Sequence, residues 1–253
     1  MKQRKILILL IIFWGFYGCG GGEKSQNQEK SQVVVPEGTA SISGEVKYVG
    51  EPPSPRQLNL VRECSVLHDK PVYAQNVVIN ENGTLKWVFV YVKEGIDKAY
   101  SPPNQPMELD QKGCIYHPHV LGIQVGQTLR ILNSDPLLHN IHAIPKINRS
   151  FNFSQPGKGN VREIKFDKSE IMIPVKCDVH PWMKGYIGVL SHPYYSVTGE
   201  DGKFSIKKLP AGEYVVEAWH EELGTQTLTV TLTDGESKSI EFTFGPRGEA
   251  ASQ

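Results

Sequence analysis

The segment CDVHPWM, Cys177 to Met183, places a thiol, an imidazole and a thioether at three-residue intervals. Residues three apart in a tight turn can share a face, so Cys177, His180 and Met183 can all address one ion. Upstream, HNIH supplies two more imidazoles, His139 and His142. Along an extended strand these two point to opposite faces, so one of them should face away from any shared centre. Two imidazoles, one thiolate and a weak thioether suit copper, because imidazole serves Cu(II) and soft sulfur serves Cu(I). Zinc would accept the Cys and the His but has no use for Met183. A Cys packed as a small hydrophobe is the ordinary alternative, and it leaves His180 and Met183 unexplained. A Cys–His nucleophile would need an orienting third group and oxyanion donors, and none is recognisable.

Such residues need a stiff frame, and the rest of the chain reads as one built of strands. Short alternating runs such as ASISGEVKYVG, LKWVFVYV, TLRILNS, KFSIKKL, GEYVVEAW and SIEFTF recur between Gly, Pro, Asn and Asp. That pattern predicts an all-β protein, a sandwich or barrel, with QLNLVRECSVL as the one modest helical candidate. Pro181 fixes its own φ and stiffens the loop between two of the candidate ligands. The turns GEDGKF, LPAGEY and TLTDGESKSI carry the Asp-Gly and Pro-Ala-Gly chemistry that hairpins and inter-sheet turns require.

The stretch HVLGIQVGQTLRILNSDPLLHNIHAI followed by CDVHPWMKGYIGVL resembles the cupredoxins, small Greek-key copper sandwiches. The likeness is to amicyanin-type sites, with HNxH upstream and CxxHPxM in a short final loop. The resemblance implies one type 1 copper held by His139, Cys177, His180 and Met183, with His142 structural. It also implies that Asn140 ties its segment to the Cys loop by hydrogen bonding, and that Trp182 belongs either to an apolar docking patch or to ordinary packing. The implied role is electron transfer with a redox partner such as a c-type cytochrome or an oxidoreductase, without catalysis. No second set of clustered His motifs is present, and His68, His117, His119, His192 and His220 read as surface or structural residues.

A second resemblance, to the carboxypeptidase regulatory-like or transthyretin-like sandwich, rests on TGEDGKFSIKKLPAGEYVVEAW and GTQTLTVTLTDGESKSIEFTF, with ISGEVKYVGEPP and WVFVYVKEG as its upstream strands. The two resemblances together predict a cupredoxin-like unit at 102–192, inserted in, or in tandem with, a split sandwich of 41–101 plus 193–245. Insertion is tolerated where the ends of the inserted unit lie close together at an exposed turn. The residues 246–253 read as a disordered tail.

The amino terminus, MKQRKILILLIIFWGFYGCGGG, has a basic head, an apolar run too short to span a bilayer comfortably, and small residues. It reads as a signal peptide over 1–18, and Cys19 with its flanking glycines resembles the lipid-modified Cys of bacterial lipoproteins. The polar residues that follow, to about residue 40, read as a disordered tether reaching roughly 25 Å. The expected place is therefore outside the cytoplasm, periplasmic or cell-surface, held to a membrane by lipid. With Cys19 lipidated and Cys177 on a metal, Cys64 and Cys114 remain as a candidate disulfide in an oxidising compartment. Lys plus Arg and Asp plus Glu number 27 each, so nothing in the charge points to nucleic acid as a partner.

Overall fold

The alternation in the sequence becomes alternation in burial: along KFSIKKL, Phe204, Ile206 and Leu209 are buried while the lysines and Ser205 face outward. The computed structural model describes residues 38–246 apart from Ala99. In chain order these residues form β1 (Ala40–Tyr48), the short helix α1 (Arg62–Ser65), β2 (Phe89–Glu94), β3 (Met107–Lys112), β4 (Ile115–His117) and β5 (Val120–Gln124). Next come β6 (Leu129–Asn133), β7 (His139–Ala143), β8 (Phe151–Gln155), β9 (Asn160–Ile164), β10 (Glu170–Lys176) and β11 (Lys184–Leu190). The last are β12 (Tyr195–Val197), β13 (Lys203–Leu209), β14 (Gly212–His220), β15 (Gly224–Leu232) and β16 (Ser237–Phe244). The described residues are all-β apart from α1, a single turn inside the one segment with helical promise. The signal, the tether, Cys19 and residues 247–253 lie outside the described residues, and no described helix is long and apolar enough to cross a membrane.

The strands sort into two pairs of sheets. One pair has the orders β13-β1-β16 and β12-β2-β14-β15 and is built from strands at both ends of the chain. Val46, Val90, Phe204, Val216 and Phe242 fill the core between these two sheets. The other pair has the orders β5-β11-β10-β7-β8 and β4-β3-β6-β9 and comes from the middle of the chain. Its core holds Leu109, Tyr116, Ile131, Ile141, Ile187 and, among them, Cys177 and Met183. Two parallel pairings, β3 with β6 and β5 with β11, make these sheets mixed.

The two pairs meet over Phe89, Tyr91, Val120, Met172 and Leu190. At the seam Gly122 of β5 lies opposite Gly188 of β11. A side chain at Gly122 would strike the Tyr195 ring, and one at Gly188 would come within 2.7 Å of Phe89. The glycines form a gap in the sheet that admits two aromatic rings from the neighbouring sandwich.

Residues between β1 and β2 depart from the sequence reading, which places all of 41–101 with the end-strand sandwich. Leu60 and Cys64 pack instead with the core of the central sheets. Cys64 is bonded to Cys114, with Cα atoms 5.7 Å apart. From Glu51 to Pro71 only Leu58 and Cys64 are buried, so this segment runs over the surface as a strap.

Candidate metal centre

The loop CDVHPWM closes the hairpin of β10 and β11, whose last facing pair is Lys176 and Lys184. Inside it the Cys177 N–H donates to the Met183 carbonyl at 3.2 Å and the Met183 N–H donates to the His180 carbonyl at 2.9 Å. These bonds turn the chain back on itself, and Cys177, His180 and Met183 are all buried. The His180 N–H also donates to Cys177 Sγ at 3.4 Å.

His139, fully buried, opens β7, which lies beside β10. Its Nδ1 faces His180 Nδ1 at 3.0 Å, and His180 Nδ1 is 3.8 Å from Cys177 Sγ. One ligand atom from each of His139, Cys177 and His180 lies within 4.8 Å of the others. His142 is directed elsewhere: half-buried, its Nδ1 lies 3.1 Å from Asp178, a carboxylate that also pairs with Lys176. The odd spacing in β7 thus separates the two histidines, one inward and one toward the rim.

Asn140 joins β7 to the loop, because its Oδ1 accepts the Asp178 N–H at 2.9 Å while its amide N donates to Asn152. Tyr116 donates its hydroxyl to the Asn140 carbonyl at 2.7 Å, which fixes the same residue from below.

Asp135 is the residue that sequence reasoning missed. Its Oδ2 accepts from His139 Nε2 at 2.7 Å. The same carboxylate accepts the Gly113 N–H at 2.7 Å and the Cys114 N–H at 2.8 Å. Those two residues form the two-residue β3–β4 turn, with φ of 63° and 55°, the left-handed pair that such a hairpin needs. The available signal was Asn-Ser-Asp just before HNIH, a polar turn in an otherwise apolar stretch.

Burial opposes charge throughout the site; hydrogen bonds outweigh it at Cys177 and Asp135, and burial prevails at His180. The Cys177 thiol ionises below its ordinary value because donors from His139 and from the Asn140, His180 and Val179 backbones outweigh burial. Asp135 is likewise held below the usual carboxylate range despite its burial, by His139 and the two turn N–H groups. Burial, helped by the neighbouring His139, keeps His180 neutral at lower pH than a free imidazole. A low-pKa thiol beside a neutral imidazole and an oriented one is a donor set ready for a soft or borderline ion.

The disulfide lies against this group. Cys64, Cys114 and a ring nitrogen of His180 fall within 4.8 Å of one another, as do Cys114, Asp135 and His139. Trp182, its ring centroid 5.2 Å from that of His180, donates its indole N–H to the Cys114 carbonyl at 3.0 Å. Among the other histidines, His119 is buried against Glu221, His68 lies 2.7 Å from the Gly113 carbonyl, and His192 and His220 are buried. His117 lies at the surface, 3.2 Å from the Lys112 carbonyl.

Comparison with solved structures returns copper proteins over part of the chain. A copper-containing nitrite reductase from Thermus scotoductus SA-01 is 30% identical over 41% of this chain and 25% of that one, with a TM-score of 0.31. A copper(I) amicyanin variant is 17% identical over 40% of this chain and 97% of its own, with a TM-score of 0.30. A purple cupredoxin from Nitrosopumilus maritimus is 26% identical over 33% of this chain and 98% of its own, with a TM-score of 0.28. The chain thus spans a quarter of the nitrite reductase, and each likeness covers a minority of the chain. No family model and no curated protein matches it.

Proposed function

We propose that this chain is a cupredoxin-like protein that binds one type 1 copper through His139, Cys177, His180 and Met183 and passes single electrons between redox partners. The observation that carries the reading is the buried convergence of Cys177 Sγ with ring nitrogens of His139 and His180. The donors fit: His139 gives Nε2 to Asp135 and so keeps Nδ1 for an ion, and His180 turns its own Nδ1 to the same point. Met183, buried in the same core, adds the thioether that separates copper from zinc chemistry. Copper in such a donor set supplies reversible one-electron chemistry, and the chain's part is to hold the donors still and exclude water. Asn140 and Asp135 perform the holding.

In this reading residues 102–192, with the strap that carries Leu60 and Cys64 packed on them, form the copper unit, the remainder of 41–101 with 193–245 a transthyretin-like sandwich, and Cys19 a lipid anchor on the periplasmic or cell-surface side. The placement of the end strands in a separate pair of sheets supports the division. The alternative reading is a copper-binding or copper-delivery lipoprotein, in which the same donors hold an ion that is handed on.

The test is the visible spectrum of the chain with added Cu(II). Intense thiolate-to-copper absorption that vanishes in Cys177→Ser is expected, and a colourless protein would overturn the proposal. Reversible reduction by a c-type cytochrome then selects electron transfer, whereas copper loss to an acceptor selects delivery.

A further inference from the structure

We infer that the Cys64–Cys114 disulfide is the closed form of a second copper(I) site, opened when a dithiol reduces it. The inference builds on the copper reading of His139, Cys177 and His180, because His180 belongs to both donor groups. Its geometric basis is that Cys64 Sγ, Cys114 Sγ and a His180 ring nitrogen already lie within 4.8 Å of each other. Two thiols and an imidazole form a soft set suited to copper(I).

Reduction breaks the S–S bond with two electrons and two protons from the dithiol, which leaves as its own disulfide. Copper(I) then displaces the thiol protons. The pocket that receives the new thiolates already holds the Asp135 carboxylate, which lies within 4.8 Å of both Cys114 Sγ and a ring nitrogen of His139. Further negative charge there is favourable only with a cation, so copper(I) and reduction assist each other by linkage.

The strap that carries Cys64 is anchored by few buried side chains. Val61, Val66, Leu67 and Tyr73 are exposed, and between Glu51 and Pro71 only Leu58 and Cys64 are buried. A groove of about 780 Å³ runs along it, lined by Leu67, Tyr73, Trp87, Ile115 and His117. The Cys114 side is rigid by contrast, since Asp135 grips both N–H groups of its turn and Trp182 donates to its carbonyl. The Cys64 backbone bonds within the strap, to Val61 and Leu67, so the two thiols are held by separate elements.

The experiment measures copper(I) stoichiometry anaerobically against a chromophoric chelator. It uses the full-length chain with Cys19→Ser, before and after reduction by a phosphine, with thiols counted in parallel. The oxidised chain should bind one equivalent and the reduced chain two, with His180 giving Nδ1 to the first ion and Nε2 to the second. Cys177→Ser should bind none when oxidised and one when reduced, while Cys64→Ser/Cys114→Ser should bind one in either condition. A reduced Cys177→Ser chain with two titratable thiols and no tightly bound copper(I) overturns the inference. An oxidised chain that binds none overturns the function proposed above, and the reduced Cys177→Ser chain still decides this one.

Discussion

Asp135 accepts a hydrogen bond from His139 Nε2 at 2.7 Å while receiving the two N–H groups of the Gly113–Cys114 turn. One carboxylate thereby sets the tautomer of a candidate ligand and the position of the disulfide that covers the site. Removing it should affect the metal more than the fold. Asp135→Ala is expected to weaken copper binding about 10- to 100-fold, the usual effect of losing the group that orients a ligating imidazole. Asp135→Asn, which can still accept from Nε2, should fall between. Chelator competition measures both, and unchanged affinity in Asp135→Ala would remove Asp135 from the site.

Asn140 is only 6% exposed and joins β7 to the ligand loop through the Asp178 N–H. In Asn140→Ala that donor loses its partner, and the expected loss of stability is about 1–3 kcal/mol. The change should also broaden or shift the copper absorption band, because the loop can move relative to His139. Urea unfolding and the visible spectrum read the two effects separately. A destabilised protein with an unaltered band would make Asn140 purely structural.

The candidate ligands were legible in sequence because three of them share one seven-residue loop, and a strand's period of two separates His139 from His142. The strands were legible for the same local reason, as the alternation in KFSIKKL shows. Asp135 was not, because its partners Gly113 and Cys114 are brought to it by the parallel pairing of β3 with β6, which leaves no local pattern. Nor could spacing reveal that Cys64 crosses from the outer strands to lie against His180. That contact depends on the path of the strap, an irregular segment with no periodicity to read.

The glycines at the seam give a packing prediction. Gly122→Val and Gly188→Ala should each destabilise the protein by about 1–3 kcal/mol, since Tyr195, Phe89 and Met172 leave no room for a side chain. Gly157→Ala, at a position with nothing within 4 Å, is the control and should change stability by less than about 0.5 kcal/mol. Denaturant midpoints provide the comparison. Equal effects at all three positions would show that the gap does not govern how the sandwiches meet.

Two of the buried histidines outside the metal centre, His192 and His220, predict how the copper-free protein responds to acid. Burial lowers His192 and His220 from 6.5 to about 4 each. In His220 the neutral form is used directly, because Nδ1 accepts the Glu222 and Leu223 N–H groups at 3.2 Å. Between pH 4 and 6.5 the unfolded chain binds more protons at these residues than the folded one, so stability rises with pH across that window. It is complete above about pH 6.5 and is lost as pH falls toward 4, by as much as about 3 kcal/mol per histidine. His220→Asn keeps an acceptor for the two N–H groups and removes the titration. Its urea midpoint should therefore fall less far between pH 7 and pH 4.5 than that of the parent. An acid limb of the same depth in both proteins would show that His220 is not buried in its neutral form.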